Sequence, residues 1–147
     1  MSNVRTLQRL LEPVVAPSKA ALGVDVVHIP TWSGIRTRTG PALDRRVYTD
    51  GELHFAQGRP DRLATRLAAK EAVLKLLGTG IRGIGLRDVE VVSNAEGEPT
   101  VVLHGPARDR HAELLLGPIA VSLCHEEDMA YAVVVALPAR ASGGGEQ

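Results

Sequence analysis

The chain has 147 residues, a length that fits one domain, and 44% of them are hydrophobic, as in a globular protein. Its 17 basic and 17 acidic side chains cancel, which argues against a nucleic-acid-binding protein that works by bulk positive charge. One cysteine, Cys124, excludes an internal disulfide framework and a cysteine-rich metal site. No apolar run is long enough for a membrane span and no signal peptide is visible, so we expect a cytoplasmic protein that binds no membrane.

The first half of the chain predicts one strand followed by helices. A run rich in β-branched residues predicts a strand at 22–29, which Pro30 closes. Residues 31–46 remain uncertain because glycine and proline interrupt any helix there. Thr49 and Glu52 have the spacing of a capping box and predict a short helix. A longer helix is expected to begin at Arg59-Pro60-Asp61, run to residue 77 and end at Gly78.

The second half predicts hairpins. Strands are expected at 89–93, 100–104, 119–124 and 129–137, with a helix at 107–116. Strands paired in hairpins, with helices between some of them, predict a small single α+β domain. Its mainly antiparallel sheet should wrap around or pack on the one long helix. The domain should span 21–138, between an N-terminal extension at 1–20 and a flexible, glycine-rich tail at 139–147.

Two carboxylates are candidate metal ligands. Asp25 lies inside an apolar strand, where an acid is costly to bury unless it is paired or binds a cation. The alternative is an aspartate that caps a nearby backbone. Glu71 and Lys75 are four residues apart on the long helix, a spacing that also suits an exposed salt bridge.

The surroundings of Glu71 favour a ligand site over that salt bridge. Its neighbours on the helix are alanine and leucine, and the helix ends in Gly78-Thr79-Gly80, a small turn that a ligand can approach closely. A carboxylate beside two ammonium groups, those of Lys70 and Lys75, suits a magnesium-bound pyrophosphate. The acid would hold the metal while the lysines neutralise phosphate oxygens.

Three further features are weaker signals. His125 ends a predicted strand and is either catalytic or structural. Cys124 has no nucleophile motif around it and is interpreted as a small buried residue. Residues 31–67 carry seven arginines against four acids, a net charge of +3, which is either a scattered surface or a face that docks an acidic protein.

Taken in order, these stretches resemble one family, the holo-[acyl-carrier-protein] synthases, the small type of phosphopantetheinyl transferase. The resemblance covers 22–137, and the run A-A-K-E-A-x-x-K-x-x-G-T-G at 68–80 is its most specific part. The other matching stretches are GVDVVHI at 23–29, VYTDGEL at 47–53, DVEVV at 88–92, GEPT at 97–100 and VSLCHE at 121–126.

The resemblance implies an enzyme that moves the phosphopantetheine arm of coenzyme A onto a serine of an acyl carrier protein. It implies a Mg²⁺ requirement, adenosine 3′,5′-bisphosphate as the leaving product, and a homotrimer with active sites between protomers. Asp25 and Glu71 match the metal ligands and Lys75 matches a lysine on coenzyme A phosphate. Glu71, directly or through a metal-bound water, is our hypothesis for the base. The remaining matches to the coenzyme site are Arg66, Lys70, Gly78, Thr79, Gly80 and His125.

The family's carrier-protein surface follows the first strand, and there this chain has Arg36, Arg38, Arg45 and Arg46. The chain departs from the family at His28, where an acid is usual, so the sequence predicts one carboxylate fewer near the metal. It also departs at Cys124, where serine or threonine is common. These departures suggest a polyketide or other secondary pathway in place of fatty-acid synthesis. The alternative is a module that binds coenzyme A or a carrier protein without transfer.

Overall fold

The computed structural model describes residues 19–78 and 83–140. Five strands and five helices follow one another in the described chain. In order they are β1 (Ala21–His28), α1 (Ile29–Thr39), α2 (Pro41–Val47), α3 (Asp50–Ala56), α4 (Pro60–Leu77), β2 (Val89–Ser93), β3 (Pro99–Leu103), α5 (Gly105–Glu113), β4 (Leu116–Glu126) and β5 (Met129–Pro138).

Three of the strands form an antiparallel sheet in the order β1-β5-β4. Side chains alternate across each strand, so the sheet has two different faces. The inner face packs on α4, and in β5 it presents Ala130, Ala132, Val134 and Ala136, all buried. The outer face is apolar but exposed. We define it by Leu22, Val24, Val26, Tyr131, Val133 and Leu137.

Helix α4 is the centre of the fold. Pro60 fits its first turn because a proline there sacrifices no helical hydrogen bond, and Gly78 ends it with a φ of 69°. Most of its side chains are buried, and its middle is built from small residues, Ala68, Ala69 and Ala72. That small surface lets β1 approach closely. A Cβ on Gly23 would lie 1.9 Å from the carbonyl oxygen of Ala72, so only glycine fits there.

A two-stranded antiparallel sheet, β2 and β3, covers another side of α4. The buried side chains of Val89 and Val91 join the main core, which α4 shares with β5. A smaller cluster lies under α3 and contains Val47, Tyr48 and Leu63. Helix α4 is therefore enclosed between the two sheets, with α1 to α3 packed at one end.

The described elements match the predicted ones closely. The capping box of α3 forms, with Thr49 and Glu52 each bonding the other's backbone N–H. The uncertain segment 31–46 is two helices, since Pro30 and Pro41 each open a helix and Gly40, with a φ of 85°, separates them. The N-terminal extension and most of the predicted tail lie outside the described residues. Among the described helices, none is long and apolar enough to cross a membrane.

Candidate active site

Strand β1 and helix α4 bring Asp25 and Lys75 into contact. Asp25 points inward from β1, opposite Ala132 of β5, and its side chain is 14% exposed. The ammonium of Lys75 donates to Asp25 Oδ1 at 2.7 Å and to the carbonyl oxygen of Val24 at 3.0 Å. The remainder of the Lys75 side chain is in solvent, with 57% of it exposed. The lysine therefore neutralises Asp25 while keeping the freedom to reach a second anion.

Glu71 completes this cluster on the same face of α4. Burial raises the pKa of its carboxyl, and the negative charge of Asp25 raises it further, against the opposing effect of Lys75. The pKa of Lys75 is itself raised, above all by its hydrogen bond to Asp25. Two half-buried carboxylates that repel each other favour a bound cation. Asp25, Glu71 and Lys75, which the sequence predicted as site residues, thus lie together.

The second lysine of the motif, Lys70, lies elsewhere. Its side chain is fully buried, and its ammonium is 2.6 Å from Glu52 Oε2. It also donates to the carbonyl oxygens of Leu86 and Val89, at 3.1 and 2.5 Å. Three acceptors use all three donors of the ammonium. The expected contact between Lys70 and coenzyme A does not fit this arrangement, and we correct its role to a structural one.

The carboxylate that holds Lys70 is equally committed to the fold. Glu52 Oε1 accepts from the backbone N–H of Val91 at 2.8 Å, and Oε2 accepts from that of Thr49 at 2.9 Å. Burial lowers the pKa of Lys70, and the charge of Glu52 opposes that shift. The pair joins α3, α4 and β2 in the interior. In the sequence Glu52 gave only the signal of a capping box.

Arg66 and His125 line a different cavity, of about 350 Å³, between the first half of α4, the β2–β3 hairpin and the end of β4. The guanidinium of Arg66 lies 4.0 Å from the centre of the Phe55 ring and donates to Ser93 Oγ at 3.0 Å. Its buried Nε has no partner among the described residues. Arg62 flanks the same ring at 5.0 Å. The two arginines give this cavity positive charge that can bind an anion.

Arg62 and Phe55 were not among the site residues predicted from the sequence. The available signal was the spacing of Arg62 and Arg66, one helical turn apart, which places both on one face of α4. Phe55 lies on a separate helix and gave no signal. Asp61, whose Oδ2 is 3.6 Å from His125 Nε2, also borders this cavity.

Within one chain, a first site group, Asp25, Glu71 and Lys75, lies apart from a second, the cavity lined by Arg66 and His125. Arg66 and Glu71 are five positions apart on α4, about 7.5 Å along the axis and about 140° around it. Asp25 and His125 lie on opposite edges of the three-stranded sheet, with β5 between them. At the usual strand spacing that places their strands about 10 Å apart. A ligand that touches both groups must either be long or lie between two copies of the chain.

Two sequence expectations about departures from the family need correction. His28 lies on the opposite face of β1 from Asp25, and its Nδ1 accepts from the backbone N–H of Thr31 at 3.3 Å, which caps α1. A carboxylate at this position would serve the same cap, so His28 removes no ligand from the candidate metal site. Cys124, interpreted as buried, is exposed in the described chain.

The last candidates lie on the helices after β1 and at the end of α4. Arg38, Arg45 and Arg46 are exposed, and in the part of the chain that the structure describes they pair with no carboxylate. Arg36 instead binds Asp44. Gly78 ends α4, and its N–H donates to the carbonyl oxygens of Leu74 and Lys75. Thr79 and Gly80 lie outside the described residues.

Comparison with known proteins identifies the family. The model of the 4′-phosphopantetheinyl transferase superfamily matches residues 21–134. The chain belongs to this superfamily and is a phosphopantetheinyl transferase by descent. Within it, the chain is 47% identical over 120 residues to a holo-[acyl-carrier-protein] synthase of Gloeobacter violaceus, covering 77% of this chain and 89% of the relative.

Solved structures agree on the fold. The crystal structure of a holo-[acyl-carrier-protein] synthase from Neisseria meningitidis is 36% identical, with a TM-score of 0.70, over 79% of this chain and 96% of that one. An acyl carrier protein synthase–coenzyme A complex from Chronobacterium ammoniagenes is 28% identical, with a TM-score of 0.72, over 83% and 99%. The predicted family and its α+β fold are therefore confirmed.

Proposed function

We propose that this protein transfers the 4′-phosphopantetheine arm of coenzyme A to a serine of an apo acyl carrier protein, with Mg²⁺, and releases adenosine 3′,5′-bisphosphate. The serine oxygen forms a bond to the phosphorus that carries the arm, and the bond from that phosphorus to the departing nucleotide breaks. The observation that carries the proposal is the cluster of Asp25, Glu71 and Lys75. Two carboxylates and one ammonium on a partly exposed side chain are a set of groups suited to a metal-bound pyrophosphate.

The donor set fits Mg²⁺. The described residues contain no group of three or more histidine, cysteine or acidic side chains that could hold a metal ion by themselves. Mg²⁺ commonly binds proteins through one or two carboxylates and takes its other ligands from water and substrate phosphate. Asp25 and Glu71 would hold the ion. When bound, it would supply positive charge to the pyrophosphate and to the departing phosphate.

Lys75 and Glu71 have separate tasks in this proposal. Lys75 lies on Asp25, and its exposed side chain can swing its ammonium onto a phosphate oxygen, where it stabilises the charge of the leaving group. Glu71, directly or through a water held on the metal, accepts the proton of the attacking serine hydroxyl.

The separation of the two site groups supports active sites that lie between protomers, as in the homotrimer that the resemblance implies. Asp25, Glu71 and Lys75 of one protomer would meet the Arg66 and His125 cavity of the next. The cavity would hold a phosphate of coenzyme A, to which Arg62, Arg66 and the unpaired Nε of Arg66 are suited. The exposed outer face of the sheet supplies the apolar surface that such an assembly buries.

We assign the carrier protein to the face of α1 and α2 that carries Arg38, Arg45 and Arg46. These side chains are exposed and positive, and carrier proteins are generally acidic, so opposite charges would steer the encounter. His28 and Cys124 lie away from Asp25 and Glu71. Neither residue therefore supports a specialised secondary pathway. The pathway is tested by which carrier proteins gain the arm in the assay.

Mass spectrometry of apo carrier protein incubated with this protein, coenzyme A and Mg²⁺ tests the proposal. A mass gain of one phosphopantetheine arm, lost with a chelator and lost in Asp25→Ala and Lys75→Met, is the expected result. Asp109→Ala is the matched control, since Asp109 is an exposed acid on α5 that, among the described residues, pairs only with Arg108. No gain on fatty-acid or polyketide carriers, despite measurable coenzyme A binding, would favour the module without transfer activity.

A further inference from the structure

We infer that Asp44 is a positioning residue for carrier-protein docking. Through Arg36 it fixes the corner between α1 and α2 that presents Arg38, Arg45 and Arg46. The inference rests on the proposed function and deepens it. It also changes the role of Arg36, which the sequence placed among the docking residues.

The contact between Arg36 and Asp44 is two-pronged. Arg36 Nε donates to Asp44 Oδ1 and Arg36 Nη2 donates to Asp44 Oδ2, both at 2.7 Å. The two side chains are only 16% and 21% exposed. Paired bonds in this geometry add directional specificity to the electrostatic attraction, and partial burial protects them from screening by salt. Two of the five N–H donors of Arg36 are therefore committed to Asp44, on a side chain that offers little surface to a partner.

The corner has few other ties. Helix α1 has no fully buried residue, and α2 has only Val47. Gly40 separates the helices in a conformation with positive φ, and its N–H donates to the carbonyl oxygen of Arg36 at 2.8 Å. Trp32 Nε1 donates to the hydroxyl of Tyr48 at 2.8 Å and anchors the first part of α1. The Arg36–Asp44 pair holds the next turn, at the point where the arginines begin.

The three free arginines flank this pair directly. Arg38 lies two residues after Arg36 on α1, while Arg45 and Arg46 follow Asp44 on α2. Their spacing therefore depends on the angle between two short helices with little buried surface. A pair that fixes the angle also fixes the pattern of positive charge offered to an acidic partner.

The positioning role and simple charge counting predict opposite signs for one substitution. Asp44→Asn removes a negative charge and releases Arg36, so the face gains one net positive charge. If charge alone governs docking, the carrier should then bind more tightly. If the pair positions the arginines, the carrier should bind more weakly in spite of the added charge.

The test is steady-state transfer with varied apo carrier protein at saturating coenzyme A. Asp44→Asn and Arg36→Lys should each raise the KM for the carrier by about threefold to tenfold, the change that a contact of about 0.6 to 1.4 kcal/mol would give. kcat and the KM for coenzyme A should stay within about twofold of the wild type. Arg36→Lys keeps every charge but loses the two-pronged geometry. The double variant should be no worse than the poorer single variant, because both act through one contact.

Asp50→Asn is the matched control. The side chain of Asp50 is 95% exposed, and its Oδ1 lies 3.8 Å from Nη2 of Arg87. Arg87 Nη1 donates to the carbonyl oxygen of Arg45, so the substitution removes a negative charge close to the same face. This variant should not raise the carrier KM. Thermal unfolding of each variant shows whether it folds.

Four results would overturn the inference. They are an unchanged or lower carrier KM in Asp44→Asn, an unchanged or lower carrier KM in Arg36→Lys, an equal loss of coenzyme A affinity, or a rise in the Asp50 control as well. Failure of the wild type to transfer would instead refute the proposed function. The positioning role would then be decided by direct titration of the apo carrier protein, in which Asp44→Asn should raise the Kd and an unchanged Kd would refute it.

Discussion

Two lysines on one helix, Lys70 and Lys75, give the sharpest test of this structure, because replacing each with methionine should produce opposite phenotypes. Lys70→Met removes an ammonium with three buried acceptors, Glu52 Oε2 and the carbonyl oxygens of Leu86 and Val89. The carboxylate of Glu52 would remain buried without a counter-charge. Breaking a buried ion pair from one side costs about 3 to 5 kcal/mol.

That cost is a large share of the stability of a single domain, about 5 to 15 kcal/mol. The expected fall in melting temperature is on the order of 10 °C. Lys75→Met removes an exposed ammonium from Asp25, and exposed pairs contribute about 1 kcal/mol or less, so its unfolding should remain close to that of the wild type. Its transfer rate should instead fall by about 100-fold or more, since it removes a charge from the departing phosphate.

The assay pairs urea unfolding, followed by far-ultraviolet circular dichroism, with the transfer reaction at a temperature where both variants are folded. Combining Lys70→Met with Glu52→Gln should cost less than the sum of the two single losses, because both residues belong to one contact. A free energy of unfolding of Lys70→Met within about 1 kcal/mol of the wild type would contradict the structural role of Lys70. Full transfer by Lys75→Met would contradict the role of Lys75 at the departing phosphate.

Three other substitutions test separate parts of the fold. Gly23→Ala should destabilise the chain by about 1 to 3 kcal/mol and reduce transfer, because its new methyl group meets the carbonyl oxygen of Ala72 and displaces the strand that carries Asp25. Urea unfolding and the transfer assay measure the two effects. Wild-type stability and activity would contradict the close packing of β1 on α4. If a homotrimer buries the outer face of the sheet, light scattering should give the wild type a mass of about three times 15.6 kDa. Val133→Glu puts a charge on that face and should give monomers. A wild type with the mass of one chain would contradict the trimer. Burial raises the pKa of Asp61, but the hydrogen bonds and positive charge of Arg59, together with hydrogen bonds from the backbone N–H groups of Asp61 and Arg62, outweigh that effect and lower it. Ionised Asp61 therefore stabilises the fold at pH values above the ordinary aspartate pKa of about 4. This stabilisation is lost as the pH falls through the lowered pKa of the folded state. Asp61→Asn should then unfold slightly more easily at pH 7 and no more easily in strong acid, and a difference that persists there would refute this sign.

The amino-acid sequence by itself predicted the strands, the longest helix and one pair of site residues, Glu71 and Lys75. Runs of strand-forming residues bounded by turn residues predicted all five strands, and proline and glycine predicted the ends of α4, because these signals are local. The motif spacing also identified Glu71 and Lys75 together, since residues four apart share one face of a helix. Their meeting with Asp25, fifty residues earlier than Lys75, rested on resemblance, because spacing within one helix says nothing about a distant strand.

The tertiary structure decided which charged side chains are free. Lys70 and Lys75 are equivalent in a sequence motif, yet α4 presents the first to the interior beside β2 and the second to β1 and solvent. Arg36 and Arg38 are equally close in sequence, yet only Arg36 meets Asp44. Pairing and burial depend on contacts between residues far apart in the chain. Those contacts set the solvation of each charge, and solvation determines whether a charge holds the fold together or binds a ligand.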